Sequence, residues 1–493
     1  MLCYKGIRSL DLWQWTVTLQ IICYVAEKIV MQEQRLNLML DSVSRLARRG
    51  AMSNAANLLT KLRPVDIAQI LSQLPLRDSE IVFEAFVRHD LSKAAEALAE
   101  METSRSVGLL TTLNREDVSR LLQELPSDDA TLIVSELPEK LRDDLLDAMK
   151  LEHSTVVNEL LGFPDETAGR IMTPEYFALD EDVTVSEAIT ELQRRSEEFE
   201  MAFYLYVVDS RNHLLGVVSL RQLLLNPPST PLRKIMIGDA IKVTTDTDQE
   251  EVARIVATYN LLAVPVVDQE NKLVGIITVD DVLDVMREEA TEDIYALAGV
   301  EADDRALGSP ISSVRRRLPW LMLSLGAALI AVAIVQYYVT TIESSIWLAV
   351  LIPVVATMGS NAATQTMTVV VRGIGLGEVG WETTRRVITK EALVGLINGL
   401  IVGFSVCVIV AVWFGTKLGS LMFGLKLGGI LGVTTVLSLV VAGGLGTLVP
   451  VLLKRLRVDP ALASSMFVVT FTDVITFFFY LGMATLLLKQ FKV

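Results

Sequence analysis

Five apolar runs fill the last third of this 493-residue chain, at about 318–339, 346–371, 390–414, 421–452 and 461–488. Each can cross a bilayer, for which a helix needs roughly 20 apolar residues. Hydrocarbon offers backbone polar groups no solvent, so runs of this kind must satisfy themselves as helices. The C-terminal part is therefore expected to be a five-helix membrane domain. Its last run, Ala461 to Leu488, holds one formal charge, Asp473, near the middle. A carboxylate at the centre of a spanning helix costs roughly 2.5–3.5 kcal/mol on insertion scales, and residues kept at that cost tend to be functional.

Charge divides the chain at the same boundary. Residues 315–493 hold 14 Lys/Arg and 6 Asp/Glu, whereas residues 1–314 hold 30 and 53. An acidic, water-soluble part thus precedes a mildly basic membrane part. That acidity argues against nucleic acid and anionic lipid as partners of the soluble part and favours cations. Ten basic residues cluster at one end of the spans, at 315–317, 372–390 and 454–457, against four at the other end (Lys417, Lys426, Lys489, Lys492). Positive-inside orientation then places the soluble part in the cytoplasm and the C-terminus outside. The membrane itself is expected to be the plasma (inner) membrane. Cys3, Cys23 and Cys407 form no CxxC pair, which fits a reducing compartment. Three scattered histidines, no nucleophile–base spacing and no Walker motif argue against an enzyme.

The second apolar run is the least lipid-like. Thr357, Ser360, Asn361, Thr364, Gln365 and Thr368 fall at i, i+3, i+4, i+7, i+8 and i+11, one wholly polar helical face. One or two such residues glue helices together, whereas six over three turns point to a water-lined path. In the fifth run Ser465, Thr472, Asp473, Thr476 and Tyr480 are expected to share a face by the same spacing. Hydroxyls, amide carbonyls and one carboxylate are hard oxygen ligands, suited to Mg²⁺ rather than to soft metals. Gly395, Gly399 and Gly403 in the third run, and Gly424, Gly428 and Gly432 in the fourth, read as close helix packing.

Upstream, residues 1–34 form an uncertain extension, with Met31 the preferred true start. Residues 35–167 read as short helices punctuated by "ILSQLPLRDSE", "LLTTLNREDVS", "LLQELPSDDAT" and "IVSELPEKLRD", each an apolar helix end, a break, then acids opening the next helix. The recurrence is expected to build an all-α superhelix, with an ordinary bundle the alternative. Residues 168–290 contain an α/β repeat, 168–230 and 231–290: "LYVVDSRNHLLGVVSLRQLL" aligns with "VPVVDQENKLVGIITVDDVL". Each copy reads as extended segment, helix, strand, turn, strand, helix. Residues 291–314 read as a helical connector leading into the pore domain, 315–493.

The repeat resembles a tandem pair of CBS domains, regulatory modules that often bind ATP or another adenine nucleotide. The family's Gly-x-x-Ser/Thr-x-x-Asp motif is complete in the second copy, as Gly275, Thr278 and Asp281. The first copy has Gly216 and Ser219 but Gln222 in place of the acid. Behind that pair, "PVVATMGSNAATQ" with "VDPALASSMFVVTFTDVITFFFYL" resembles the MgtE family of magnesium transporters, over about residues 35–493. The resemblance implies a homodimer with one pore at the interface, Mg²⁺ held by the acid matching Asp473, and pore-lining positions matching Asn361 and Gln365, with Thr357 on the same face. Asp459 and Pro460 match its membrane-edge motif. The family usually carries Gly where this chain has Ser360, and often Gly at Thr476.

Gating is expected to reside in the acidic part. Asp281, Asp284 and Glu288 recur at i, i+3 and i+7, with Glu289, Glu292 and Asp293 beyond, and Asp248 and Glu250 belong to a second cluster with Asp246 and Glu251. Charge alone reads as a solvated acidic face. The resemblance implies regulatory Mg²⁺ held between the helical domain, the CBS pair and the connector. A transporter of Mn²⁺ or Co²⁺, or a membrane-anchored nucleotide sensor without a pore, are the alternatives.

Overall fold

The computed structural model describes residues 34–195, 203–300, 304, 309–418, 420–456 and 458–490. The extension expected over residues 1–34 lies almost wholly outside them, as does the side chain of Ser465. The chain divides into two compact units, one ending at Val285 and one beginning at Met286.

The first unit opens with short helices whose breaks follow the sequence punctuation. Pro75, Pro126 and Pro138 stand at N-caps, and Asn114 caps its helix by accepting from the Asp117 N–H at 2.8 Å. Proline lacks the N–H that a helix start leaves unsatisfied, so it opens a helix at little cost. Helices stack on their next-but-one neighbours: Met52–Leu59 on Leu76–Val87, Pro64–Gln73 on Leu91–Ala99, and so on to Ser127–Ser135 on Leu151–Leu161. This is the packing of a superhelix. Its core runs through Leu59, Ile67, Phe83, Phe86, Leu98 and Leu121, all fully buried. Buried serines pin successive turns. Ser79 Oγ donates to Leu71 O and Ser106 Oγ to Leu98 O, each at 2.9 Å.

Two three-stranded sheets follow, β1–β2–β3 (Ala178–Asp180, Tyr204–Val208, Leu214–Ser219) and β4–β5–β6 (Val243–Thr244, Ala263–Val267, Leu273–Thr278). In each, the first pair is parallel and the second antiparallel, with the same register shift, at Val207/Val208 and Val266/Val267. The hairpin turns place Asn212 and Asn271 at φ 66° and 65°, a left-handed conformation that asparagine tolerates. These turns meet: Leu214 N donates to Asn271 O and Leu273 N to Asn212 O. The sequence repeat is thus a paired structural repeat. Its last helix, Val279–Leu297, runs unbroken past residue 290.

Among the described residues, the second unit contains five helices long and apolar enough to cross a membrane: Pro310–Tyr337, Trp347–Gly375, Thr384–Leu418, Leu421–Arg455 and Pro460–Gln490. They match the five expected runs, with a short helix, Val339–Ser344, between the first two. The third and fourth spanning helices are in backbone contact. A Cβ on Gly403 would sit 2.5 Å from Gly432 O, and one on Gly428 would sit 2.6 Å from Cys407 O. Only glycine permits that approach, which dispersion and weak polar contacts then stabilise in lipid.

Candidate functional site

The second and fifth spanning helices bring the expected residues to one place. Ser360 Oγ lies 2.7 Å from Asp473 Oδ1 and 3.0 Å from Ala356 O, so its single proton is offered between a carboxylate and a backbone carbonyl. Gly359, one residue earlier, is buried where a Cβ would meet Ser438, Thr476 and Thr472, which sets how closely the two helices approach. Asp473 itself is half-buried.

Beside it, Thr357, Asn361, Thr364, Gln365 and Thr368 form an exposed polar face on the second spanning helix. The threonines have a definite hydrogen-bond polarity. Thr357 Oγ1 donates to Pro353 O at 2.7 Å, Thr364 to Ser360 O at 3.0 Å, and Thr368 to Thr364 O at 2.9 Å. Each hydroxyl proton is committed to its own helix, and the oxygen lone pairs remain for an outside donor.

The expected stripe on the fifth helix is corrected by the structure. Thr472, Thr476 and Tyr480 are fully buried and face the interior of the unit. Thr472 Oγ1 donates to Val468 O at 2.7 Å, Thr476 pairs with Ser438 of the fourth helix at 2.6 Å, and Tyr480 OH donates to Leu348 O at 3.1 Å. Thr476 and Tyr480 hold helices together and Thr472 bonds its own helix, while Asp473, about 100° further round than Thr472, stands at the edge. Spacing identified the shared face but not its direction. A threonine can satisfy its hydroxyl on its own helix, so polarity alone does not reveal what it faces.

Glu391 escaped the sequence reading. It sits near the start of the third spanning helix, 6% exposed, and accepts from Thr366 Oγ1 at 3.2 Å and from Lys390 Nζ at 2.6 Å. Its neighbour Lys390 made the segment read as a loop end.

Further toward the connector, Ala296 and Leu297 pack with Ala363, Met367, Val371, Ala442 and Val468. The end of helix Val279–Leu297 therefore lies against the second, fourth and fifth spanning helices, starting two residues beyond Asn361. Asp293 on the same helix is pushed above the usual carboxylate range, by loss of water first and by the Asp459 charge second.

In the first unit, acids of the helical domain meet acids of the CBS pair. Burial first, and the Asp281 charge second, raise Asp128 well above its ordinary value, and its Oδ1 is buried with no hydrogen-bond partner. Asp281 is pushed up to about 6, mainly by burial, although it accepts from Thr278 Oγ1 at 2.5 Å. Glu100 is raised by burial and then by Asp284 and Asp280. An orphaned carboxylate oxygen opposite a second carboxylate is a donor set that fits a hard dication. Glu100 and Asp128 were not singled out in the sequence, where Asp128 reads as an ordinary first-turn acid of "LPSDDA". Asp248 is an N-cap, accepting from Glu250 N at 2.8 Å. Glu288, Glu289 and Glu292 follow Asp284 along the connector helix. Among the described residues, no three Asp, Glu, His or Cys side chains converge to hold one metal ion within the chain.

The nucleotide motif closes its own helices. Thr278 is bonded to Asp281 as above, and in the first copy Ser219 and Gln222 form a capping box. Gly275 is required sterically, since a Cβ there would lie 2.7 Å from Met172 Sδ and 2.9 Å from Thr173 O.

Comparison with known proteins bears on all three regions. A family model described as a divalent cation transporter matches residues 352–483, one described as the MgtE intracellular N domain matches 62–166, and the CBS domain model matches 168–227 and 232–288. The magnesium transporter MgtE of Thermus thermophilus is 39% identical over 335 residues, 68% of this chain and 72% of that protein. The magnesium transporter MgtE of Enterococcus faecalis is 34% identical over 340 residues, 69% of this chain and 73% of that protein. A solved cytosolic domain of the Mg²⁺ channel MgtE in complex with ATP is 35% identical, covering 50% of this chain and 99% of its own, with a TM-score of 0.47.

Proposed function

Because this chain belongs to the MgtE family of divalent cation transporters, we propose that it carries Mg²⁺ across the plasma membrane as a homodimer, past Asp473. The observation that carries this reading is the Asp473 carboxylate, bonded to Ser360 at the edge of an exposed polar face at membrane depth. Asn361, Gln365 and Thr357 belong to that face. Polar groups are costly against lipid, so a second copy and a water-filled path between the copies give the face its partner. Mg²⁺ dehydrates reluctantly, and its bound waters present hydrogens outward. A face of lone pairs with one carboxylate from each copy suits such a hydrated ion. Two carboxylates in one confined site also repel unless a cation lies between them. Entry of a dication gains about 4.6 kcal/mol per 100 mV, so flow needs no nucleotide hydrolysis.

Regulation follows from the acid pairs. Asp128 opposite Asp281, Glu100 opposite Asp280 and Asp284, and Asp293 opposite Asp459 are each strained by like charge. Cytoplasmic Mg²⁺ neutralises these surfaces and favours the compact arrangement, which holds Ala296 and Leu297 among the spanning helices and closes the path. Low Mg²⁺ releases them. The differential affinity for the closed state supplies the energy. Asp248, Glu250, Glu288, Glu289 and Glu292 extend the acidic surface in this scheme. Adenine nucleotide at Gly275, Thr278 and Asp281 would share Asp281 with Thr278, as the ion would, and is a further ligand in this scheme. The soluble part lies in the cytoplasm and the C-terminus outside.

The decisive measurement is Mg²⁺ uptake into proteoliposomes by wild type and Asp473→Asn, with Mn²⁺ and Co²⁺ as competitors. Uptake should fall at least tenfold in the variant. Equal uptake would overturn the assignment, and preferential uptake of Mn²⁺ or Co²⁺ would reassign the ion.

A further inference from the structure

A cleft of ≈ 410 Å³ opens where the second spanning helix ends and the fourth spanning helix ends, on the side of the membrane that carries the basic loops. Its floor is Ile374, Val379 and Val451, all buried and apolar. Its rim is Trp381, Lys454 and Arg455. The loop that makes one wall is firmly built. Gly377 turns the chain at φ +72°, Val379 N donates to Gly373 O at 2.9 Å, Gly380 N donates to Thr383 Oγ1 at 2.9 Å, and Thr384 Oγ1 donates to Gly380 O at 2.8 Å.

The rim is arranged rather than merely basic. The Arg455 guanidinium carbon lies 4.2 Å from the centre of the Trp381 ring, a cation–π contact that positions the group without using its N–H donors. Lys454 Nζ reaches only the Ile374 carbonyl, at 3.4 Å. Neither cation has an acidic partner among the described residues. A basic residue in the last turn of a helix is explained by the helix dipole. The dipole does not explain why two of them frame an apolar-floored cleft beside a tryptophan, the residue most at home at the headgroup level.

We propose that this cleft binds the headgroup of an anionic phospholipid from the cytoplasmic leaflet, with the phosphate between Lys454 and Arg455 and the upper acyl chain over Ile374, Val379 and Val451. The apolar floor selects a lipid over a free anion, and the two cations select an anionic headgroup over a zwitterionic one. Bound there, the lipid ties the second helix, which carries the polar face, to the end of the fourth. The site does not depend on which cation the protein transports.

The test uses the full-length protein in detergent, titrated with phosphatidylglycerol or with phosphatidylcholine of the same chains, and native mass spectrometry to count retained lipid. Wild type should retain phosphatidylglycerol in preference. Lys454→Ala/Arg455→Ala should weaken that retention by about tenfold or more. Lys454→Arg/Arg455→Lys should keep most of it, and Arg385→Ala/Arg386→Ala, on the same side but outside the cleft, should leave it unchanged. If the double alanine variant melts early, Arg455→Gln alone should still reduce retention several-fold. Equal retention of the two lipids by wild type, undiminished retention in both the double alanine variant and Arg455→Gln, or an equal loss in the Arg385/Arg386 variant would overturn the proposal. Displacement of phosphatidylglycerol by millimolar inorganic phosphate would overturn it too, in favour of a free-anion site.

Discussion

Asp473 accepts at Oδ1 from the Ser360 hydroxyl, which competes with whatever else the carboxylate would bind. Ser360→Gly removes that competitor without touching the ion path. The half-saturating Mg²⁺ concentration for uptake should then fall about threefold or more, as expected for loss of a hydrogen bond to a charged acceptor. Uptake curves of the two proteins in proteoliposomes decide this, and an unchanged midpoint would mean that Ser360 does not act on the ion. Thr476 predicts the opposite pattern. Its hydroxyl is paired with buried Ser438, so Thr476→Val orphans a polar group at a cost of about 1–3 kcal/mol. The melting temperature should drop while uptake per folded protein stays the same. At this scale the sequence identified Asp473, Asn361 and Gln365 as unusual because their cost in lipid is visible from composition. It misjudged Thr472, Thr476 and Tyr480 because helical period fixes relative angles only. Which direction is inward is decided by neighbouring helices, far away in the chain.

Among elements, the breaks at Pro75, Asn114, Pro126 and Pro138 were legible because capping chemistry is local. The repeated strands were legible because each hairpin repeats its residues. The superhelix was legible from the recurring punctuation, although apolar faces alone do not separate it from a bundle, and the next-but-one stacking is what the structure adds. The pattern did not reveal that Glu391 would be buried beside Thr366, because it stands at the very edge of the third apolar run, next to Lys390, whereas the third helix begins at Thr384. The connector helix supplies the test at this level. Leu297 packs near the second and fifth spanning helices. Leu297→Asp places a charge in that apolar contact and should release the helix end. Uptake into vesicles preloaded with millimolar Mg²⁺ should then resemble uptake into vesicles without it, whereas wild type should be suppressed by the preload.

For the molecule as a whole, the soluble acids make packing depend on pH and on divalent cation together. Asp128 and Asp281 are raised in the folded unit above an unfolded value of about 3.9, Asp281 to about 6. The contribution of Asp281 to stability is full below pH 4 and is lost as pH rises through about 6, and that of Asp128, raised as well, is lost in the same direction. Without divalent cation, hydrogen-exchange protection of helix Ser127–Ser135 should therefore decline between pH 5 and pH 7. Mg²⁺ should flatten that decline, and Asp128→Asn should remove most of it. A decline that Mg²⁺ leaves untouched would separate these acids from regulation.

The inward-turned hydroxyls of Thr357, Thr364 and Thr368 have a consequence for solvent itself. On the proposed path these three hydroxyls can only accept, so each orients an adjacent water with a hydrogen toward protein and its oxygen away from it, while the Asn361 and Gln365 amides beside them can also donate. Water at these hydroxyls is already polarised as a cation would polarise it, and an anion would have to reverse it. If the proposed path is right, the direction of a few hydroxyl protons already favours a cation there, before any carboxylate is reached.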